Sequence, residues 1–84
     1  MVLATIETPM YDIGPRKYID LRIGEKVLKV KIPWRYNRVM CKVHGIRPIQ
    51  ELKGGELVDV VIENRYWDSE NYLVLGSLSS GPHV

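Results

Sequence analysis

KYIDLRIGEKVLKVKI, residues 17–32, alternates apolar and polar side chains on both sides of a Gly24-Glu25 pair. In the first run Ile19, Leu21 and Ile23 fall on one side and Tyr18, Asp20 and Arg22 on the other; in the second, Leu28, Val30 and Ile32 alternate with Lys29 and Lys31. A period of two places each apolar set on one face of a pleated ribbon and the lysines on the opposite face. Glycine at the first central position suits the mirror-type turns whose twist matches that of the flanking strands. The stretch is expected to be a β-hairpin with one buried face.

Continuing outward, residues 26–50 carry Lys26, Lys29, Lys31, Arg35, Arg38, Lys42 and Arg47 without one Asp or Glu, and Trp34 and Tyr36 stand among the arginines. Cations beside flat rings are what a nucleic-acid surface uses, the charges to meet phosphates and the rings to stack on bases. The expected interface is Lys29, Lys31, Trp34, Arg35, Tyr36, Arg38, Lys42 and Arg47. A plainer reading of the same residues is an amphipathic hairpin from a heat-adapted protein, its lysines solvated and discouraging edge-to-edge pairing.

At 84 residues the chain holds one modest core and no separate catalytic domain, so enzymatic function is disfavoured. The apolar share of 45%, rich in Val, Ile and Leu with no Phe, is that of a folded, strand-forming protein. Net charge is +2, but residues 1–42 hold nine basic and four acidic side chains while residues 43–84 hold three and six. Such polarity steers a protein toward a polyanion or an acidic partner. The one cysteine, Cys41, makes no internal disulfide and no secretory leader is visible, so a reducing, cytoplasmic setting is expected. No apolar run approaches the roughly 20 residues of a membrane helix, and no membrane partner is expected.

Elsewhere, residues 2–6 read as a short strand halted at Thr8-Pro9, and residues 11–15 as a loop. Pro33 ends the hairpin ladder. Residues 39–43 alternate again, grouping Val39, Cys41 and Val43 as a third short strand, and at most one helical turn fits residues 49–52. After a turn at Lys53-Gly54-Gly55, residues 57–63 form the strongest strand pattern, with Val58, Val60 and Ile62 inward. Residues 64–71, with Tyr66 and Trp67, read as a polar loop, and residues 72–75 as the last strand. One domain is expected over residues 1–76, with a flexible tail over residues 77–84. Short strands with turn signals about every 8–12 residues argue for an all-β fold, a small five-stranded barrel.

From about Leu3 to Leu75 the order of features resembles the oligonucleotide-binding (OB) fold of the translation initiation factor one / one A type and its S1-like relatives. The hairpin of residues 19–32 resembles theirs, Ile32-Pro33-Trp34-Arg35-Tyr36-Asn37-Arg38 their basic segment, and Gly55-Glu56-Leu57-Val58 their turn into the next strand. Pro33-Trp34 stands where that family has glycine-lysine. The resemblance implies an OB-like barrel binding a single strand or structured RNA, as a monomer or weak oligomer. A second resemblance, to the looped-hinge, swapped-hairpin transcription regulators, rests on Ile32-Pro33-Trp34-Arg35 and on Leu52-Lys53-Gly54-Gly55-Glu56-Leu57-Val58; it implies an intertwined DNA-binding dimer. A third reading, from another class, is a protein-interaction or structural subunit of a larger nucleoprotein or viral assembly, its basic face meeting an acidic protein.

Catalytic and cofactor signals are sparse. Cys41 and His44 have a Cys-x-x-His spacing, but a structural zinc site needs a full tetrahedral set and the other histidine is His83. Cys41 reads as a small apolar strand residue. No glycine pattern forms a phosphate-binding loop, and no nucleophile accompanies His44 with Glu51 or Asp59. No metal, cofactor or catalytic residue is expected. Trp67 and Tyr72 either extend the binding face or cover the end of the barrel.

Overall fold

A computed structural model of the chain describes residues 2–67 and 70–80. Its strands β1 (Val2–Ile13), β2 (Arg16–Ile23), β3 (Lys26–Lys31), β4 (Leu57–Trp67) and β5 (Glu70–Ser80) close into a barrel in the order β1-β2-β3-β5-β4. The all-β, five-stranded barrel expected from the turn spacing is thus the fold. Neighbouring strands run antiparallel except β3 and β5, which meet in parallel at Lys31 and Val74.

The hairpin of β2 and β3 has the register that its alternation demands. Ile19 faces Val30 and Leu21 faces Leu28 toward the core, while Tyr18 faces Lys31 and Asp20 faces Lys29 outside. Gly24 turns the chain at φ +62°, a conformation that a side chain disfavours. Ile6, Ile19, Leu21, Val30, Val58, Val60 and Leu75 are fully buried, and Leu28 and Ile62 are half-buried against them. The connection from β3 to β4 adds Tyr36, Cys41, Ile49 and Leu52 to the same core.

Four expectations are corrected. The first strand does not halt at Thr8-Pro9 but runs to Ile13, because its register against β2 shifts between Ile6 and Thr8 and again between Thr8 and Tyr11. Each shift inserts an extra residue, and a bulge is where a strand tolerates a proline that has no N–H to donate. Residues 39–43 are not a strand. They lie in a helix, α1 (Arg38–Val43), started by Asn37, whose side chain accepts from the Met40 N–H at 2.9 Å. This N-cap, followed by the helix formers Arg, Met and Lys, outweighs a two-residue period over so short a span.

Residues 64–71 are not a loop, since β4 and β5 continue as a paired ribbon out to Tyr66 opposite Asn71 and Trp67 opposite Glu70. Nor does the last strand end at Leu75. Residues 77–80 pair with β4 and Leu78 is buried, while residues 81–84 of the expected tail lie outside the described residues. Gly76 makes the extension possible as the extra residue between Val61 opposite Ser77 and Ile62 opposite Leu75. A Cβ there would stand 3.1 Å from both the Val61 carbonyl oxygen and Glu63 Cγ.

The core assignment makes Val60→Asp severe. An unpaired carboxylate at this fully buried position should cost about 3–5 kcal/mol against a typical total stability of about 5–15 kcal/mol. Thermal unfolding of the variant reads this directly, and an unchanged melting temperature would contradict the core placement.

Candidate nucleic-acid interface

The pleat that buries Ile19, Leu21 and Val30 turns Arg16, Tyr18, Asp20, Lys29 and Lys31 to the outer face of β2 and β3. Two neighbouring strands extend this face with rings. On β1, Tyr11 lies opposite Tyr18, their ring centroids 6.0 Å apart with planes at 27°. On β5, Tyr72 lies beside the β3 end, and the Lys31 ammonium stands 5.2 Å from its centroid. The Arg16 guanidinium stands 5.1 Å from that centroid and donates a hydrogen bond to the Tyr72 hydroxyl. Lys29 sits 5.0 Å from the Tyr18 ring centroid. Cations and rings thus alternate across the strip, each contact of a type contributing about 0.5–1 kcal/mol where exposed.

Tyr18 is buried, covered by Tyr11 and Lys29, so it serves as the base on which those two are held. Tyr11 is fixed a second time, its hydroxyl donating to Asp20 Oδ1 at 2.6 Å. Partial burial of the phenol and then this bond to a carboxylate push the Tyr11 pKa up to about 12.

Next to the strip opens a groove of about 520 Å³, lined by residues of the β1–β2 turn, the β3 exit, Gln50 and the β4–β5 ribbon. Arg16, Lys17, Lys31 and Arg65 bring cations to it, and Pro33, Trp34, Tyr72 and Val74 supply apolar and aromatic surface. Trp34 is 82% exposed, because Pro33 ends the β3 ladder and a 3-10 turn (Trp34–Tyr36) carries its ring off the barrel. A tryptophan this open has a flat face available for stacking.

The expected residues therefore separate. Lys29, Lys31 and Trp34 lie on the strip or at the groove. Tyr36 is buried, and its hydroxyl donates to the Gly76 carbonyl at 3.1 Å. Arg35 is bound to the same strand, donating to the carbonyls of Gly76 at 2.6 Å and Leu75 at 3.4 Å. Arg38 pairs with Glu51 at 3.8 Å. Arg47 donates to the Glu56 carboxylate and, at 2.9 Å, to the Glu51 carbonyl. The Glu56 carboxyl is held below its ordinary pKa, first by the Lys53 backbone N–H and then by Arg47. Lys42 is exposed in the last turn of α1, and neither it nor Arg38 nor Arg47 lines the groove.

Sequence reasoning missed Tyr11, Arg16 and Arg65 and left Tyr72 undecided. The usable signal was parity: Arg16 and Tyr18 lie two residues apart, on the side of β2 that faces Lys29 and Lys31. The side chain of Trp67 lies outside the described residues. Cys41 is buried on α1 and donates to the Tyr36 carbonyl at 3.4 Å, while His44 is exposed at the end of that helix. Among the described residues no group of three or more His, Cys, Asp or Glu side chains converges, and no helix is long and apolar enough to cross a membrane. The chain matches no protein-family model, no curated protein and no solved structure.

The raised Tyr11 pKa carries a pH signature. A phenol near 12 in the folded state and near 10 when unfolded makes the folded protein bind the proton more tightly. The resulting stability is complete below about pH 10 and is lost as pH rises toward 12. Unfolding measured across that window should fall more steeply for the wild type than for Tyr11→Phe. Identical slopes would mean that neither burial nor the Asp20 carboxylate raises the Tyr11 pKa in the folded state.

Proposed function

We propose that this chain is a nucleic-acid-binding barrel of the OB type that holds a single strand, or an unpaired segment of structured RNA, across the outer face of β2 and β3. The observation that carries the reading is the alternation of cations and rings along that face, with Lys29, Lys31 and Arg16 set against Tyr18 and Tyr72, opening onto the exposed Trp34. The strand order is compatible with an OB-like barrel, an architecture that presents strands 2 and 3 with the adjoining loops to oligonucleotides. In this reading the backbone phosphates run past the lysines and arginines, and a base stacks on Trp34. Such binding is tolerant of sequence, because every base has a π face.

A second reading has one observation behind it. Val39 and Val43, one helical turn apart on α1, are each 69% exposed and flanked by Arg38 and Lys42, which suits an acidic protein partner. The looped-hinge dimer draws less support, since the strands of one chain close on each other. Light scattering at micromolar concentration separates these: a dimer that persists on dilution until it unfolds is what an intertwined fold requires, and a monomer eliminates it.

Replacing Lys29 and Lys31 together by Gln should weaken binding to every strand tested and flatten its salt dependence, each lost phosphate contact removing about one unit of slope. Trp34→Ala should cost about 1–3 kcal/mol on a single strand, leave the salt slope unchanged and matter little for a duplex, whose bases are already stacked. The exposure of Trp34 predicts an unchanged melting temperature. If both variants bind as the wild type does, the nucleic-acid reading gives way to the interaction subunit, whose partner binding would respond far less to salt.

A further inference from the structure

Phosphate pairing and stacking leave one polar group of the groove unused. Gln50 lines it from the 3-10 turn Ile49–Glu51, which is pinned by the fully buried Ile49. The Gln50 side-chain oxygen is buried, and no described group donates a hydrogen bond to it. A buried acceptor without a donor is destabilising, and an occupant that supplies one recovers the loss. The terminal torsion of a glutamine is broad, so the amide can turn without moving the backbone.

The surroundings restrict what that occupant is. About 520 Å³ is within the usual range of small-molecule sites and larger than a single base needs. Trp34 offers a flat face, Arg16 and Lys31 bring positive charge over Tyr72, and Lys17 and Arg65 line the groove while paired with Asp12 and Glu63. A flat heterocycle carrying a phosphate at its edge satisfies all of these. We infer that the groove takes one unstacked base of the bound strand and that Gln50 accepts a hydrogen bond from its exocyclic amine, so that adenine or cytosine is preferred to thymine or uracil there. The inference rests on the nucleic-acid reading above and adds base selection to it. An exocyclic amine projects beyond the ring toward a recessed acceptor. The ring N–H of thymine or uracil is set back between two carbonyl oxygens, which a buried oxygen repels.

The test compares a thymidine oligomer of about ten nucleotides with the same oligomer carrying one central deoxyadenosine or deoxycytidine, by fluorescence anisotropy on wild type and Gln50→Leu. The wild type should bind the substituted oligomers about threefold to tenfold more tightly, the ratio expected from one net hydrogen bond. Gln50→Leu should lose the preference and bind the three strands alike. Equal wild-type affinity for all three strands, or a preference that survives in Gln50→Leu, overturns base selection while leaving the nucleic-acid reading intact. If none of the three strands binds, the nucleic-acid reading itself fails. Should Gln50→Leu melt early, deoxyadenylate and thymidylate titrated into the wild type decide by NMR. Both should shift the Trp34 indole, and the adenylate alone the Gln50 side-chain amide; equal amide shifts with both overturn the inference.

Discussion

The barrel closes at a seam between β3 and β5, where the described strands share the parallel pair Lys31 with Val74. A sheet closed by so short a ladder leaves backbone carbonyls of β5 to be satisfied by other means. Arg35 and Tyr36, just past the end of β3, do this by donating to the carbonyls of Leu75 and Gly76. The guanidinium fork and the phenol act as side-chain substitutes for a missing stretch of strand. Both groups are thereby committed to the fold, although their types and neighbours point to a binding surface. The bulge at Gly76 belongs to the same arrangement, since its carbonyl accepts from both residues and its missing Cβ lets β5 lie close to Val61 and Glu63.

The seam also shapes the candidate site. Lys31, Val74, Tyr72 and Tyr36 line the groove, so its floor is the place where β3 and β5 come together. Pro33 ends the β3 ladder there because it has no N–H to continue it, and the chain leaves the barrel with Trp34 outermost. The remaining cations are held by contacts that need no occupant: Lys29 over Tyr18, Lys31 and Arg16 over Tyr72, and Lys17 with Asp12 and Arg65 with Glu63, each at 2.8 Å. Holding charges in place before a ligand arrives lowers the ordering cost of binding.

Charge along the chain and charge in space differ here. Residues 26–50 contain no acid, yet Arg38 and Arg47 acquire Glu51 and Glu56 from just beyond that stretch. Arg22 likewise meets Glu7 across β1 and β2. The positive surface is therefore narrower than the run of basic residues implies, and it centres on the outer face of the β2–β3 hairpin and the groove beside it. Exposed pairs of this kind contribute little to stability, but they remove cations from the field that a polyanion meets.

Alternation by itself determined the β2–β3 hairpin, its inward and outward faces and the strand character of residues 57–63, because a period of two ties burial to sequence position one residue at a time. Turn spacing determined the all-β barrel and Pro33 the end of the β3 ladder, while the outward placement of Trp34 was decided by the tertiary structure. Where two local signals competed, the sequence was not decisive. Val39, Cys41 and Val43 alternate as a strand would, but Asn37 caps a helix and Cys41 packs into the core from it. Tertiary pairing alone decided the length of β1 past its bulges, the continuation of β4 and β5 through residues taken for a loop, and the use of Tyr36 and Arg35 at the seam. The physical reason is common to all three. A strand end, a bulge or a side-chain donor is fixed by the unsatisfied backbone group it meets on another strand, whether that partner lies a few residues off, as Tyr18 does for Tyr11, or forty, as Gly76 does for Tyr36, and the alternation within one strand carries no record of it.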